Sequence, residues 1–109
     1  MLKFVIKRGD TSPALRFALL PDSVSLAGAA VHFQMRPRGG ATVIDREAQI
    51  LSAFEPAIVA YLWLPGETDA TGRYEAEFRV TNMDGTVETF PNLGFIEVFV
   101  TEDVPGLPE

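Results

Sequence analysis

Alternation with a period of two runs through most of this chain, and it limits the fold more than any other feature. Val31, Phe33 and Met35 alternate with His32, Gln34 and Arg36. Tyr74, Ala76, Phe78 and Val80 alternate with Glu75, Glu77, Arg79 and Thr81. Leu15, Phe17 and Leu19 fall on one parity, with Arg16 on the other. A pleated strand sends successive side chains to opposite faces, so each segment reads as a strand with one buried and one wet face. No stretch carries a sustained helical stripe. Between Asp45 and Phe54, the residues Ala48, Ile50, Leu51 and Phe54 fit one or two helical turns or a strand, and strand is the favoured reading.

Turn signals divide the chain where strands would end. Pro13 opens the second segment, and Pro21-Asp22-Ser23 closes it. Arg38-Gly39-Gly40 and Pro65-Gly66 are turns, and Glu55-Pro56 separates two apolar runs because the residue before proline avoids the helical region. Asp84-Gly85 sits between two strand-like runs, and both residues tolerate positive φ, so a tight hairpin is expected. Pro91 lacks a ladder donor and marks an edge or a bulge. Strands are thus predicted near 2–8, 14–20, 29–36, 41–51, 57–64, 73–82, 86–90 and 94–101. Seven or eight short strands in 109 residues predict an all-β antiparallel sandwich spanning residues 1–103, followed by a proline-containing tail over 104–109.

The run Asp69-Ala70-Thr71-Gly72-Arg73-Tyr74 makes that sandwich immunoglobulin-like. A tyrosine corner places a tyrosine just after a turn, with its hydroxyl bonded back to the chain entering the strand. Tyr74 has the right place, and Ala76 stands where antibody domains carry cysteine. The alternative is a turn followed by an ordinary core tyrosine.

Composition removes several function classes. At 47% hydrophobic and 22% charged, the chain is not disordered as a whole. With 15 acidic against 9 basic residues, its formal charge is −6, and it lacks the basic run a nucleic-acid binder needs. The longest uncharged apolar run, Ala57 to Leu64, is far short of the roughly 20 residues that span a bilayer, so no membrane insertion is expected. Met1-Leu2-Lys3-Phe4 lacks the continuous apolar stretch of a secretory signal. The chain has no cysteine, which excludes disulfides, thiolate metal sites and cysteine nucleophiles.

Catalytic groups are sparse. His32 is the only histidine, and its parity puts it on the outer face. The serines show no nucleophile elbow, and no phosphate-binding glycine loop is present. Carboxylates in loops, among them Asp22, Glu67, Asp69, Asp84, Glu102 and Asp103, lack the regular spacing of a calcium loop and read as solvated turn residues. No feature marks a catalytic carboxylate pair or a cofactor. Arg8-Gly9-Asp10 reads as structure rather than as an integrin ligand. Gly9 permits an unusual backbone angle, Asp10 and Thr11 offer local hydrogen bonds, and Pro13 sets the entry to the next strand.

Two segments are apolar on both parities, and Phe4, Val5 and Ile6 of the first strand repeat the pattern. In the first, Ile58, Ala60, Leu62 and Leu64 oppose Ala57, Val59, Tyr61 and Trp63. In the second, Ile96, Val98 and Val100 oppose Phe95 and Phe99, which flank Glu97. A small two-layer sandwich buries one face of each sheet. Either local irregularity turns the surplus inward, or Tyr61, Trp63, Phe95 and Phe99 form an assembly surface. Covering about 500 Å² of apolar surface gains on the order of 10 kcal/mol before the costs of association. The assembly surface is the favoured reading.

The string Lys7-Arg8-Gly9-Asp10-Thr11-Ser12-Pro13-Ala14-Leu15-Arg16-Phe17 resembles the opening of the N-terminal domain of phage baseplate upper proteins and related prophage tail proteins. Leu26 to Arg36, Val59 to Trp63, Thr68-Asp69, Gly72 to Phe78, Asp84-Gly85, Thr89-Phe90-Pro91 and Ile96-Glu97-Val98 resemble later pieces of that family in the same order. The resemblance implies an immunoglobulin-like sandwich that builds a tail or baseplate, without catalytic residues. It implies a location in the virion tail after assembly in the bacterial host cytoplasm. The expected partners are further copies of the chain or neighbouring tail proteins. In the baseplate proteins further parts follow this domain, whereas here a short tail follows it. Two other readings stand beside this one. A tail adhesin would use Trp63 or Tyr61 to stack on a bacterial surface glycan or to bind a surface protein. A hydrolase would use the scattered carboxylates.

Overall fold

A computed structural model of the chain describes residues 2–20 and 24–102. The predicted turn at Pro21-Asp22-Ser23, the domain limit at residue 103 and the tail over 104–109 lie outside the described residues. Nine strands are described: β1 (Leu2–Lys7), β2 (Leu15–Leu19), β3 (Ala30–Pro37), β4 (Ile44–Glu47), β5 (Gln49–Ser52), β6 (Ala57–Tyr61), β7 (Gly72–Thr81), β8 (Val87–Phe90) and β9 (Ile96–Thr101). No helix occurs among the described residues. The chain is an all-β sandwich of two sheets. One sheet runs β1-β9-β7-β3-β4, with β8 also paired to β7, and the other runs β2-β6-β5.

Where alternation is cleanest, it survives unchanged. Val31, Phe33 and Met35 from β3 are buried, as are Ala76, Phe78 and Val80 from β7. The two strands lie side by side, with Phe33 opposite Phe78. The second sheet faces them with Leu15 and Leu19 of β2 and Val59 and Tyr61 of β6. A run of aromatic contacts fills the space between the sheets: Phe33 stacks on Tyr61 at 4.3 Å between ring centroids and lies 5.2 Å from Phe78.

Three details depart from expectation. The predicted strand over 41–51 is two strands on different sheets. Asp45 and Glu47 alternate on β4 against β3, and the chain then crosses at Ala48, whose N–H bonds to the Val31 carbonyl, and enters β5 against β6. The sandwich is also not wholly antiparallel, since β1 runs parallel to β9 with Leu2 beside Ile96 and Lys7 beside Thr101. Finally, β8 and β9 share one side of β7. Phe78–Thr81 pairs with β8 and Gly72–Ala76 with β9, and the chain between them, including cis Pro91, interrupts what would otherwise be one strand.

The Asp84-Gly85 hairpin forms as expected between β7 and β8, with Thr81 opposite Val87. Gly85 takes φ +87°, and its N–H bonds to the Asn82 carbonyl. Asp84 Oδ1 accepts from both the Thr86 hydroxyl at 2.6 Å and the Thr86 N–H at 3.0 Å, and these bonds hold its carboxyl below the usual carboxylate range.

Candidate functional site

Tyr61 and Trp63 do not belong to a surface. Their exposures are 2% and 4%, so the expected assembly surface loses both. Strand β6 ends at Tyr61, yet the following chain still carries Trp63 into the core. There its ring meets Phe33 and Tyr61 edge-on and stacks on Phe4 of β1. The Tyr61 hydroxyl donates to the Glu67 carboxylate at 2.7 and 2.8 Å, while the Leu64 N–H donates to the same group at 2.7 Å. Burial first, and the Glu67 carboxylate second, push the Tyr61 hydroxyl above its ordinary range. The surplus predicted for 57–64 is therefore half absorbed within one chain. With both rings covered, neither can stack on a glycan.

The residues singled out around Gly9 hold two loops together. Gly9 sits at φ +83° and donates its N–H to the Thr68 carbonyl at 3.0 Å. The Thr68 hydroxyl, 1% exposed with the rest of its side chain, donates back to the Asp10 carbonyl at 2.7 Å. Thr11 and Pro13 lie exposed on the way into β2. In the facing loop, the Asp69 N–H bonds to the Gly66 carbonyl, and Gly72 begins β7. The Tyr74 hydroxyl donates to the Ala70 carbonyl at 2.6 Å, four residues upstream, which is the backward bond its spacing predicts. Gly9, Asp10, Asp69, Gly72, Tyr74, Asp84 and Gly85 thus shape turns and strand entries.

Phe95 and Phe99 do lie on an outer face. On β9, Ile96, Val98 and Val100 point inward and are buried, which leaves the opposite parity on the solvent side of the larger sheet. Cations cover the two rings there. Lys3 Nζ stands 5.0 Å from the Phe99 centroid and the Arg73 guanidinium 5.3 Å from it, while Arg36 lies 5.2 Å from Phe95. Arg36 also donates to Glu75 at 3.0 Å. In register, Glu75 stands beside Glu97, and Glu97 beside Lys3. Leu2, Leu93 and Arg38 join Lys3, Arg73, Glu75, Phe95, Glu97 and Phe99 around an open concavity of about 790 Å³. Leu93 is 92% exposed and Phe95 38%. This is the candidate site.

Comparison of the chain with family models, curated proteins and solved structures finds no match.

Away from the concavity, His32 lies exposed on the outer face as its parity predicts, 3.2 Å from Asp45 Oδ1. That contact holds the Asp45 carboxyl below the usual carboxylate range. Among the described residues, no three carboxylate or histidine side chains gather into a metal site. Sequence reasoning missed Leu2, Lys3, Arg38, Arg73 and Leu93 as part of the outer face. The signal for Arg73 was its alternation with Tyr74. Lys3 and Leu2 could not be placed without the parallel β1–β9 pairing.

Proposed function

We propose that this chain is a structural subunit of a phage or prophage tail or baseplate, with an immunoglobulin-like sandwich, and that it acts by docking its larger sheet onto a neighbouring tail protein or a further copy of itself. The observation that carries the reading is the outer face around Phe95 and Phe99. It combines exposed apolar groups with a mixed set of charges, Lys3, Arg38 and Arg73 beside Glu75 and Glu97. An apolar centre with a charged rim is the composition of a protein-docking patch. The ordered resemblance over most of the chain supplies the tail context.

Docking to protein is favoured over stacking on a glycan at this face. A sugar needs a bare ring face, whereas Lys3 and Arg73 lie over Phe99 and Arg36 over Phe95. Those cations, with Glu75 and Glu97 among them, suit the mixed charges of a protein partner. The reading assigns the chain no reaction and no cofactor.

The test is capture of the proteins encoded beside this chain by the purified protein, compared with the double variant Phe95→Ser/Phe99→Ser. Capture of a tail component that falls at least tenfold in the variant, with the melting temperature held, is the expected result. Equal capture by both proteins, or none by either, overturns the proposal.

A further inference from the structure

Asp84-Gly85 is the one place in the chain where an aspartate or asparagine precedes glycine. Such a pair has a chemical weakness. The glycine nitrogen, with no side chain beside it to hinder approach, can attack the aspartate Cγ. A C–N bond forms, a C–O bond breaks and water leaves, which closes a succinimide ring. Water then opens the ring at either carbonyl. Opening at the original peptide carbonyl leaves the chain running through Cγ, as isoaspartate. Atoms balance with water alone, and the main chain gains a methylene.

The hairpin nevertheless requires the pair. Gly85 takes φ +87° with nothing within 4 Å of the place a Cβ would occupy, so the backbone angle and not crowding demands glycine. Asp84 fastens the turn through Oδ1, as aspartates at turns do. Met83 of the same turn lies across Gly28. A lengthened main chain here would disturb the loop before β3 as well as the pairing of Thr81 with Val87.

We infer that Asp84-Gly85 is the isomerisation site of this chain and that the Thr86 side chain holds the reaction off. Attack needs Cγ brought back over its own peptide to the Gly85 nitrogen at bonding distance and angle. Thr86 holds the carboxylate forward instead, its hydroxyl donating to Asp84 Oδ1 at 2.6 Å and its N–H at 3.0 Å. Asn82 Nδ2 donates to the same hydroxyl at 3.1 Å, which leaves the hydroxyl hydrogen for Asp84. The nucleophile is engaged as well. Gly85 N–H donates to the Asn82 carbonyl at 2.9 Å, and Asn82 N–H donates to the Thr86 carbonyl at 2.8 Å. The bonds to Asp84 also favour the carboxylate over the carboxylic acid, and the carboxylate is the poorer electrophile. Asp84, Gly85 and Thr86 are all exposed, so hydrogen bonds and not packing keep the pair unreactive.

The hairpin shares no residue with the concavity around Phe95 and Phe99, so this inference stands or falls apart from the docking proposal. The test is prolonged incubation of the wild type, Thr86→Val, Thr86→Ser and Thr68→Val in mildly acidic buffer, beside a synthetic peptide of residues 82–87 as the unfolded reference. Isoaspartate at position 84 is counted by mass spectrometry with electron-transfer fragmentation, and near-ultraviolet spectra confirm that each variant is folded. The wild type should isomerise at least about tenfold more slowly than the peptide. Thr86→Val, which keeps the side-chain shape and removes the hydroxyl, should react at least about fivefold faster than the wild type, and Thr86→Ser should stay within about twofold of it. Thr68→Val, which weakens the fold in a different loop, should react at the wild-type rate. A wild type as fast as the peptide, a Thr86→Val no faster than the wild type, or a Thr68→Val accelerated as much as Thr86→Val overturns the inference.

Discussion

Thr68 and Asp10 are separated by 58 positions in sequence and joined by one part-buried hydrogen bond, the Thr68 hydroxyl donating to the Asp10 carbonyl at 2.7 Å. The bond runs alongside a second one, from the Gly9 N–H to the Thr68 carbonyl. Together they fix the loop that leaves β1 against the loop that enters β7. They give Gly9 and Thr68 a structural role without invoking a ligand.

Thr68→Val keeps the side-chain shape and removes the hydroxyl. The Asp10 carbonyl then loses its partner at a site where Thr68 is 1% exposed. The expected loss of stability is about 1–2 kcal/mol, read from urea denaturation. Thr68→Ser, which retains the donor, should lose less. Equal stability of Thr68→Val and wild type would show that water replaces the bond.

Trp63 is the single tryptophan and packs among Phe4, Phe33 and Tyr61. Its native emission should be resistant to iodide quenching and shift to longer wavelength on unfolding. Trp63→Ala should cost about 3–5 kcal/mol. The indole Nε1 finds no hydrogen-bond partner among the described residues. Trp63→Phe removes that orphaned donor together with part of the ring, so its cost should be well under half that of the alanine variant. Ready quenching in the native state would return Trp63 to the surface.

Asp84 gives the hairpin an acid-sensitive anchor. Its pKa is depressed in the fold by the Thr86 hydroxyl and N–H, so its contribution is present above the ordinary carboxylate value of 3.8 and is lost as pH falls below it. Asp84→Asn keeps an acceptor oxygen and removes the charge. The drop in urea midpoint as pH falls from above 3.8 to below it should be shallower in that variant than in wild type. Identical acid limbs would mean that Asp84 behaves alike in the folded and unfolded chain.

The parts of the fold that could be read directly are those where burial follows the pleat. On β3 and β7, both neighbours in the sheet are present along most of the strand, so Val31, Phe33, Ala76 and Phe78 go in and His32, Arg79 and their like stay out. Position 48 defeats that logic. Alternation says which face a residue takes but not which sheet it belongs to, and Ala48 is where the chain changes sheets. Trp63 escapes it too, since it lies beyond the end of β6 and is carried inward by an irregular segment that Glu67 fastens. Ala60 shows the opposite case. It has the outward parity, yet it is buried in the middle strand, where its register neighbours are the longer Arg16 and Gln49. At the candidate site, parity gave Phe95 and Phe99 correctly. The cations over them come from β1, β3 and β7, and only the tertiary pairing could bring those strands together.

The parallel ladder of β1 on β9 has a kinetic meaning. It sets Leu2 beside Ile96, nearly the whole length of the chain away, so its closure carries a large loop entropy and waits on the rest of the sandwich. An outermost strand of that kind is also the first to peel away, which makes β1 the natural place for amide protons to exchange fastest. Because Leu2 and Lys3 wall the concavity beside Phe99, whatever settles there acts as a clasp on the peeling strand.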